Sequence, residues 1–263
     1  MIPAVLKTGQ GGDDRHRPAG IFITGTDTGI GKTVLTAALL MELRARGLDA
    51  VPMKPVQTGA EPGPGGGLRA PDLEFALRAA GMDPDADTRA RMAPQLFREP
   101  CSPHLAAELE GRTVDPEQIL TAWNQLGAAH EFVLAEGAGG VLVPVDRERT
   151  MLDLMRAMGC PVLVAARPSL GTLNHSLLTL HELARAGLRV AGLVLIESTP
   201  ERAPCVEEDN RRTLERLGGV PVYGPLPYCE GLGGSDDPGA LLRERCGGTA
   251  AEIADAALLM TGG

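Results

Sequence analysis

Apolar residues along the chain follow two rhythms. Short unbroken runs occur at GIFITG (20–25), AVPMKPV (50–56), EFVLAE (131–136), PVLVAA (161–166), RVAGLVLI (189–196) and VPVYGPLP (220–227). Runs of this length without alternation are the pattern of strands buried on both faces, as in a parallel sheet covered by helices. Between them, apolar residues recur at helical spacing in KTVLTAALLMELRARG (32–47), LNHSLLTLHELARAG (173–187) and VEEDNRRTLERLGG (206–219). Two more helices are marked by their starts. Ser102 is placed as N-cap with Pro103 behind it in SPHLAAELEG (102–111), and Asp115 with Pro116 in DPEQILTAWNQLGAA (115–129). EPGPGGGLRAPD (61–72) is too rich in glycine and proline for an element and reads as a loop, while TAAEIADAALLM (249–260) reads as a last helix.

Strand and helix alternate with no internal repeat. The pattern predicts one doubly wound α/β domain over 19–263 with a mainly parallel sheet, preceded by a flexible extension over 1–18. Ligands of such a fold gather at the carboxyl ends of the strands.

Composition narrows the partners. Of 263 residues, 43% are hydrophobic and only 3% aromatic, so the core rests on aliphatic side chains. The formal charge of −9 argues against nucleic acid or an anionic membrane as partner, since both call for a basic face. Five scattered cysteines with no C-x-x-C pair suit neither a disulfide framework nor a zinc site. No apolar run approaches the roughly 20 residues of a membrane span, and the N-terminal stretch lacks the apolar core of a signal peptide. A cytoplasmic setting is expected.

The chemistry concentrates at strand ends. GTDTGIGKT (25–33) follows the first strand and opens the first helix. It has five residues between Gly25 and Gly31, where the usual phosphate loop has four. Gly29 and Gly31 still allow the tight turn that aims backbone N–H groups at phosphate oxygens, and the helix N-terminus adds positive potential. Lys32 would reach the β/γ-phosphates and the Thr33 hydroxyl a Mg²⁺ ion, which makes the fold one of P-loop NTPase type. A longer loop leaves room for a second ligand beside the γ-phosphate. Lys54 ends the second strand in MKPVQTG (53–59), where an apolar strand tolerates a lysine only if it is paired or points into a site. It is expected to be a second cation over the transferring phosphoryl group. Thr58, just beyond, is either a substrate donor or a turn residue. Glu136 ends an apolar strand before GAGG, a placement that suits Mg²⁺. Asp72 is either a further metal ligand or the N-cap of the helix that follows it. His104, His175 and His181 have no partner at metal-binding spacing and read as surface or satisfied histidines.

Taken together, GTDTGIGKT, KPVQTG, SPHLAAELEG, EGAGGVLVPV and LGTLNHSLLTL closely resemble the dethiobiotin synthetase family in order and spacing, from about Gly20 to about Pro227. The resemblance implies a cyclo-ligase of biotin biosynthesis. Such enzymes take 7,8-diaminopelargonate, CO₂ or bicarbonate, and ATP or another nucleoside triphosphate. A substrate amine captures CO₂ as a carbamate, the carbamate attacks the γ-phosphate, and the second amine closes the ureido ring. By the same resemblance, Thr28, Gly29, Ile30, Gly31, Lys32, Thr33 and Val34 surround the nucleotide phosphates, with Glu136 near them and Pro227 near the base. Thr28, Lys32 and Lys54 are implied as catalytic. Thr28, Lys54, Thr58, Gly139 and Asn174 would bind substrate, and Thr33, Asp72 and Glu136 would bind Mg²⁺. The family also implies a homodimer, with Asn174 reaching across the interface. Where many members carry Asn-Asp to read adenine, this chain has Ile196-Glu197, so the preferred nucleotide is open. Two alternatives share the loop type. One is a cobyrinate-type amide synthetase, which normally carries a glutaminase domain. The other is a partitioning-type switch ATPase, whose loop has a lysine where this chain has Thr26.

Overall fold

The computed structural model describes residues 18–201 and 203–261. The chain runs β1 (Gly20–Gly25), α1 (Lys32–Ala45), β2 (Ala50–Met53), and then three two-residue strands, β3 (Val56–Gln57), β4 (Glu61–Pro62) and β5 (Leu68–Arg69). Next come α2 (Pro71–Ala79), α3 (Ala86–Met92), β6 (Gln95–Leu96), α4 (Pro103–Leu109) and α5 (Pro116–Ala129). The second half holds β7 (Phe132–Gly140), α6 (Met151–Met158), β8 (Val162–Ala166), α7 (Thr172–Arg185), β9 (Val190–Ile196), α8 (Pro204–Gly218), β10 (Val222–Leu226) and α9 (Pro238–Thr261).

Six strands form one sheet in the order β10-β9-β8-β1-β7-β2, with every pairing parallel. Successive residues of each strand feed opposite cores. Phe22, Val133 and Val164 join one apolar cluster with residues of α5 and α6, while Ile21, Ile23 and Leu134 join another with α1 and α9. Both faces are thus dry, which is why the strands read as unbroken apolar runs. β1 lies between β7 and β8, so the chain leaves it toward β2 on one side and fills β8 to β10 on the other. The crevice at its carboxyl end is the switch point where ligands of such folds bind.

Several expectations need correction. The run 50–56 is not one strand: β2 stops at Met53, the Lys54 N–H donates to the Met92 carbonyl at 2.7 Å, and β3 pairs with β6 in a separate two-stranded sheet. The segment 61–72 is not all loop, because β4 and β5 form a small antiparallel ladder and α2 already begins at Pro71. The tail helix begins at Pro238, well before 249, and passes through Gly247 and Gly248. Packing against α1 and β10 outweighs the ~1 kcal/mol that each helical glycine costs. α3 and α6 were not anticipated. The expected extension over 1–18 lies outside the described residues except for Pro18, whose ring packs directly on Gly127 of α5.

Candidate active site

The phosphate loop is shaped by its glycines. Gly29 and Gly31 both have positive φ, at 69° and 99°. Gly31 is the N-cap of α1, and a Cβ there would lie 2.7 Å from Ile196 Cγ2. A side chain would therefore be both strained and blocked by the end of β9. Among the described residues no side chain caps α1, which leaves its first N–H groups for a ligand. Lys32 is buried, and its Nζ donates to the Asp27 carbonyl at 3.0 Å across the loop. Burial pulls its pKa down to about 8 against the pull of Glu136.

Opposite the loop stands a cluster drawn from four segments. Lys54, only 5% exposed, follows β2; Glu136, 3% exposed, lies in β7; Asp72 is in the first turn of α2; Thr33 is in the first turn of α1. Lys54 Nζ lies 2.7 Å from Glu136 Oε1 and 2.6 Å from Asp72 Oδ2. Thr33 Oγ1 donates to the same Glu136 oxygen at 2.9 Å. Burial opposes the Lys54 ammonium, but the two carboxylates outweigh it and hold its pKa above the ordinary lysine value. Burial likewise works against the Asp72 carboxylate, and Lys54 holds its pKa below the ordinary range. Asp72 is not an N-cap. Ala70 holds that position, and the Asp72 side chain turns toward Lys54.

Loop and cluster face each other across a cleft of about 710 Å³. Its wall includes Thr28, Gly29, Gly31, Lys32, Thr33, Lys54, Thr58, Asp72, Glu136 and Gly139, all singled out from sequence. At Gly139, with φ of 65°, a Cβ would lie 2.7 Å from Val143 Cγ2, so the Val143 side chain already takes the space and the backbone there stays bare. Four expected contacts are not in this wall. Ile30 is buried in the core beneath the loop, and Val34 packs half-buried against that core. Pro227 follows β10, and Asn174 is exposed on α7. His175 and His181 are exposed, as expected for surface residues. His104 is half-buried, and among the described residues its buried Nδ1 meets no hydrogen-bond partner.

Comparison with known proteins fits this geometry. A family model described as an AAA domain matches residues 19–235. An ATP-dependent dethiobiotin synthetase BioD of Anaeromyxobacter sp. (strain K) is 46% identical over 187 residues, covering 71% of this chain and 80% of that one. The enzyme of the same name from Anoxybacillus flavithermus is 39% identical over 212 residues, covering 80% and 91%. The chain belongs to the dethiobiotin synthetase family. It is accordingly an ATP-dependent ligase of the P-loop class. Solved structures share the fold at low identity. The Pyrococcus furiosus cell division ATPase MinD has a TM-score of 0.57 at 19% identity, covering 90% of this chain and 98% of its own. The pNOB8 ParA bound to nonspecific DNA has a TM-score of 0.58 at 14% identity, covering 92% and 98%.

Against the motifs that carry the dethiobiotin synthetase resemblance, the structure adds residues that sequence reasoning passed over. Gln57, 5% exposed, lies in the cleft wall, and its Nε2 donates to the Thr58 carbonyl at 2.8 Å. It lies within KPVQTG, where an amide in a buried strand was a readable signal. Pro100 and Cys101 form another part of the wall, and nothing in their spacing marks them; Ser102 beside them was marked only as a helix N-cap. Glu197, at the position where many dethiobiotin synthetases carry Asp, is buried and accepts from the Tyr228 N–H at 3.4 Å. The donor set suits a hard divalent cation. Among the described residues no three or more His, Cys, Asp and Glu converge. Asp72, Glu136 and Thr33 would hold the ion with oxygens alone and leave its other positions to water and phosphate, as Mg²⁺ prefers. No described helix is long and apolar enough to cross a membrane.

Proposed function

We propose that the chain closes the ureido ring of dethiobiotin from 7,8-diaminopelargonate, CO₂ and a nucleoside triphosphate, releasing the nucleoside diphosphate and phosphate. The observation that carries this reading is the meeting of Lys54, Glu136 and Asp72 with Thr33 of the phosphate loop in the wall of the cleft that Lys32 also lines. The loop's backbone N–H groups and Lys32 bind the phosphates. Thr33, Asp72 and Glu136 hold Mg²⁺, which when bound offsets charge on the transferring phosphoryl group. Thr28 and Thr58 orient the diamine, and the bare backbone at Gly139 lets it approach closely. Lys54 steadies the carbamate as its oxygen attacks the γ-phosphorus. No side chain need act as a covalent nucleophile; alignment and charge neutralisation suffice.

The proposed assembly is a homodimer. Leu142 and Leu178, 57% and 62% exposed, line a trough of about 450 Å³ beside Asp27 and Thr28, and Leu170 just before α7 is 94% exposed. Apolar exposure of this kind suits a partner, and Asn174, exposed on α7, would then serve the neighbouring subunit. The proposed setting is the cytoplasm.

Phosphate release with Mg-ATP and bicarbonate, with and without the diamine, tests the reading when followed by mass analysis for dethiobiotin. The expected result is diamine-dependent release with product formed. Repeating the assay with CTP and GTP ranks the nucleotides. Diamine-independent hydrolysis would overturn the proposal and favour a switch ATPase.

A further inference from the structure

The two candidate metal carboxylates are already engaged by the lysine expected to act on substrate. Asp72 Oδ2 and Glu136 Oε1 approach a single Nζ at 2.6 and 2.7 Å, so both oxygens border one point in space. The Thr33 hydroxyl reaches the same Glu136 oxygen at 2.9 Å. These are the three side chains assigned to the divalent ion. An ion held by them would stand within a few ångströms of the ammonium. At that range two cations repel strongly in a buried site, where little solvent screens them. The side-chain exposures, 6% for Lys54 and 4% for Glu136, place the pair in such a site.

We propose that Lys54 and the divalent cation are alternative occupants of one carboxylate site. Without nucleotide, Lys54 neutralises Asp72 and Glu136 and is held against them in the cleft wall. When a cation arrives with the nucleotide, the carboxylates turn to the ion. Lys54 is then released onto the phosphoryl and carbamate oxygens that face it. Its long flexible stem, ending in a compact ammonium, suits a short swing of this kind. The inference rests on the metal assignment made above. It adds that the lysine becomes available for chemistry only once the phosphate site is loaded, so the order of binding is built into the cluster.

The test reads metal binding without nucleotide or diamine, so it is separate from the activity assay that tests the reaction. Mn²⁺, followed by its electron paramagnetic resonance signal, is titrated into the full chain and into Lys54→Met and Lys54→Arg. Removing the ammonium should tighten Mn²⁺ binding at least about tenfold in Lys54→Met, and Lys54→Arg, which keeps a positive charge, should tighten it less; equal tightening in both would point to lost shape and overturn the proposal. Lys54→Met binding no tighter than the unsubstituted chain would overturn the proposal. A second measurement needs no variant. Acetylation of lysines by acetic anhydride, mapped by mass spectrometry, should modify Lys54 several-fold faster with Mg²⁺ and ADP than without them. Lys54 labelling that is unchanged or slower would also overturn it.

Discussion

The two walls of the cleft are built in opposite ways. The phosphate loop is a local object: nine consecutive residues, GTDTGIGKT, whose working parts are backbone N–H groups, a helix N-terminus and one lysine. The facing cluster is non-local. Lys54 and Glu136 are 82 residues apart in sequence, and Thr33 and Glu136 are 103 apart. One wall relies on conformations that only glycine adopts without cost, at Gly29 and Gly31. The other relies on charges that are stable in the interior only because they are paired. Damage should therefore differ in kind. Changes to the loop should impair folding and nucleotide binding together, whereas changes to the cluster should impair turnover while nucleotide still binds.

The sharpest division is expected from Lys54→Ala. Turnover should fall roughly 10²- to 10³-fold, the cost of losing a fixed charge aimed at a developing one. Affinity for the nucleotide without a divalent cation, read by calorimetry in a chelator, should stay within about threefold, because Lys32 and the loop amides are untouched. Near-normal turnover would remove Lys54 from the reaction and erase the contrast.

Gly31→Ala attacks the other wall. The residue needs φ of 99°, and a Cβ would meet Ile196 at 2.7 Å. Strain of this kind costs about 1–3 kcal/mol. Thermal or chemical unfolding should show that loss, and nucleotide affinity should drop about tenfold or more, on the order of 1.4 kcal/mol. Unchanged stability with unchanged affinity would mean that the loop does not depend on its glycine conformation.

Thr33 belongs to both walls, since it lies in the first turn of α1 and donates to Glu136. Thr33→Val keeps the shape and removes the hydroxyl. The Mg²⁺ concentration needed for half-maximal turnover should rise roughly 10- to 100-fold, the usual loss when a group on or beside a metal is removed. A Mg²⁺ requirement within twofold of the parent would place the hydroxyl in a structural role only.

The same contrast decides what could be read in advance. The six sheet strands were visible as apolar runs because both sheet faces are covered, and the phosphate loop was visible because its residues are contiguous. Lys54 and Glu136 stood out singly, as charges at the ends of apolar strands. Their pairing with each other was not legible, because it depends on the β2–β7 register, which sets Met53 beside Ala135 and so brings the next residues together. The small β4–β5 ladder was hidden by glycine and proline, and the first turns of α9 by Gly247 and Gly248, where tertiary packing overrides local preference. α6 was hidden by its brevity, eight residues between a Thr150–Asp153 capping box and a left-handed Gly159.

The mildest prediction tests whether the loop wall works through backbone. Asp27 is the one carboxylate in the loop, and it sits beside Lys32, so a charge-based reading of this wall would give it weight. The geometry does not. Lys32 Nζ contacts the Asp27 main-chain oxygen, which any residue supplies. The side chain accepts from the Thr28 N–H at 2.7 Å through Oδ1, a bond that asparagine keeps. What Asp27→Asn loses is the ion pair of Oδ2 with Arg167 at 3.3 Å, between side chains 55% and 44% exposed, and the smallest of the carboxylate pulls on the Lys32 ammonium, weaker than those of Glu136 and Asp72. Exposed pairs contribute about 0–1 kcal/mol, and salt screens them further. Nucleotide affinity of Asp27→Asn should therefore stay within about threefold of the parent, with the residual difference shrinking as ionic strength rises. A larger loss that persists in high salt would mean that the carboxylate itself acts on the ligand, and the distinction between a backbone wall and a charged wall would fail at its simplest point.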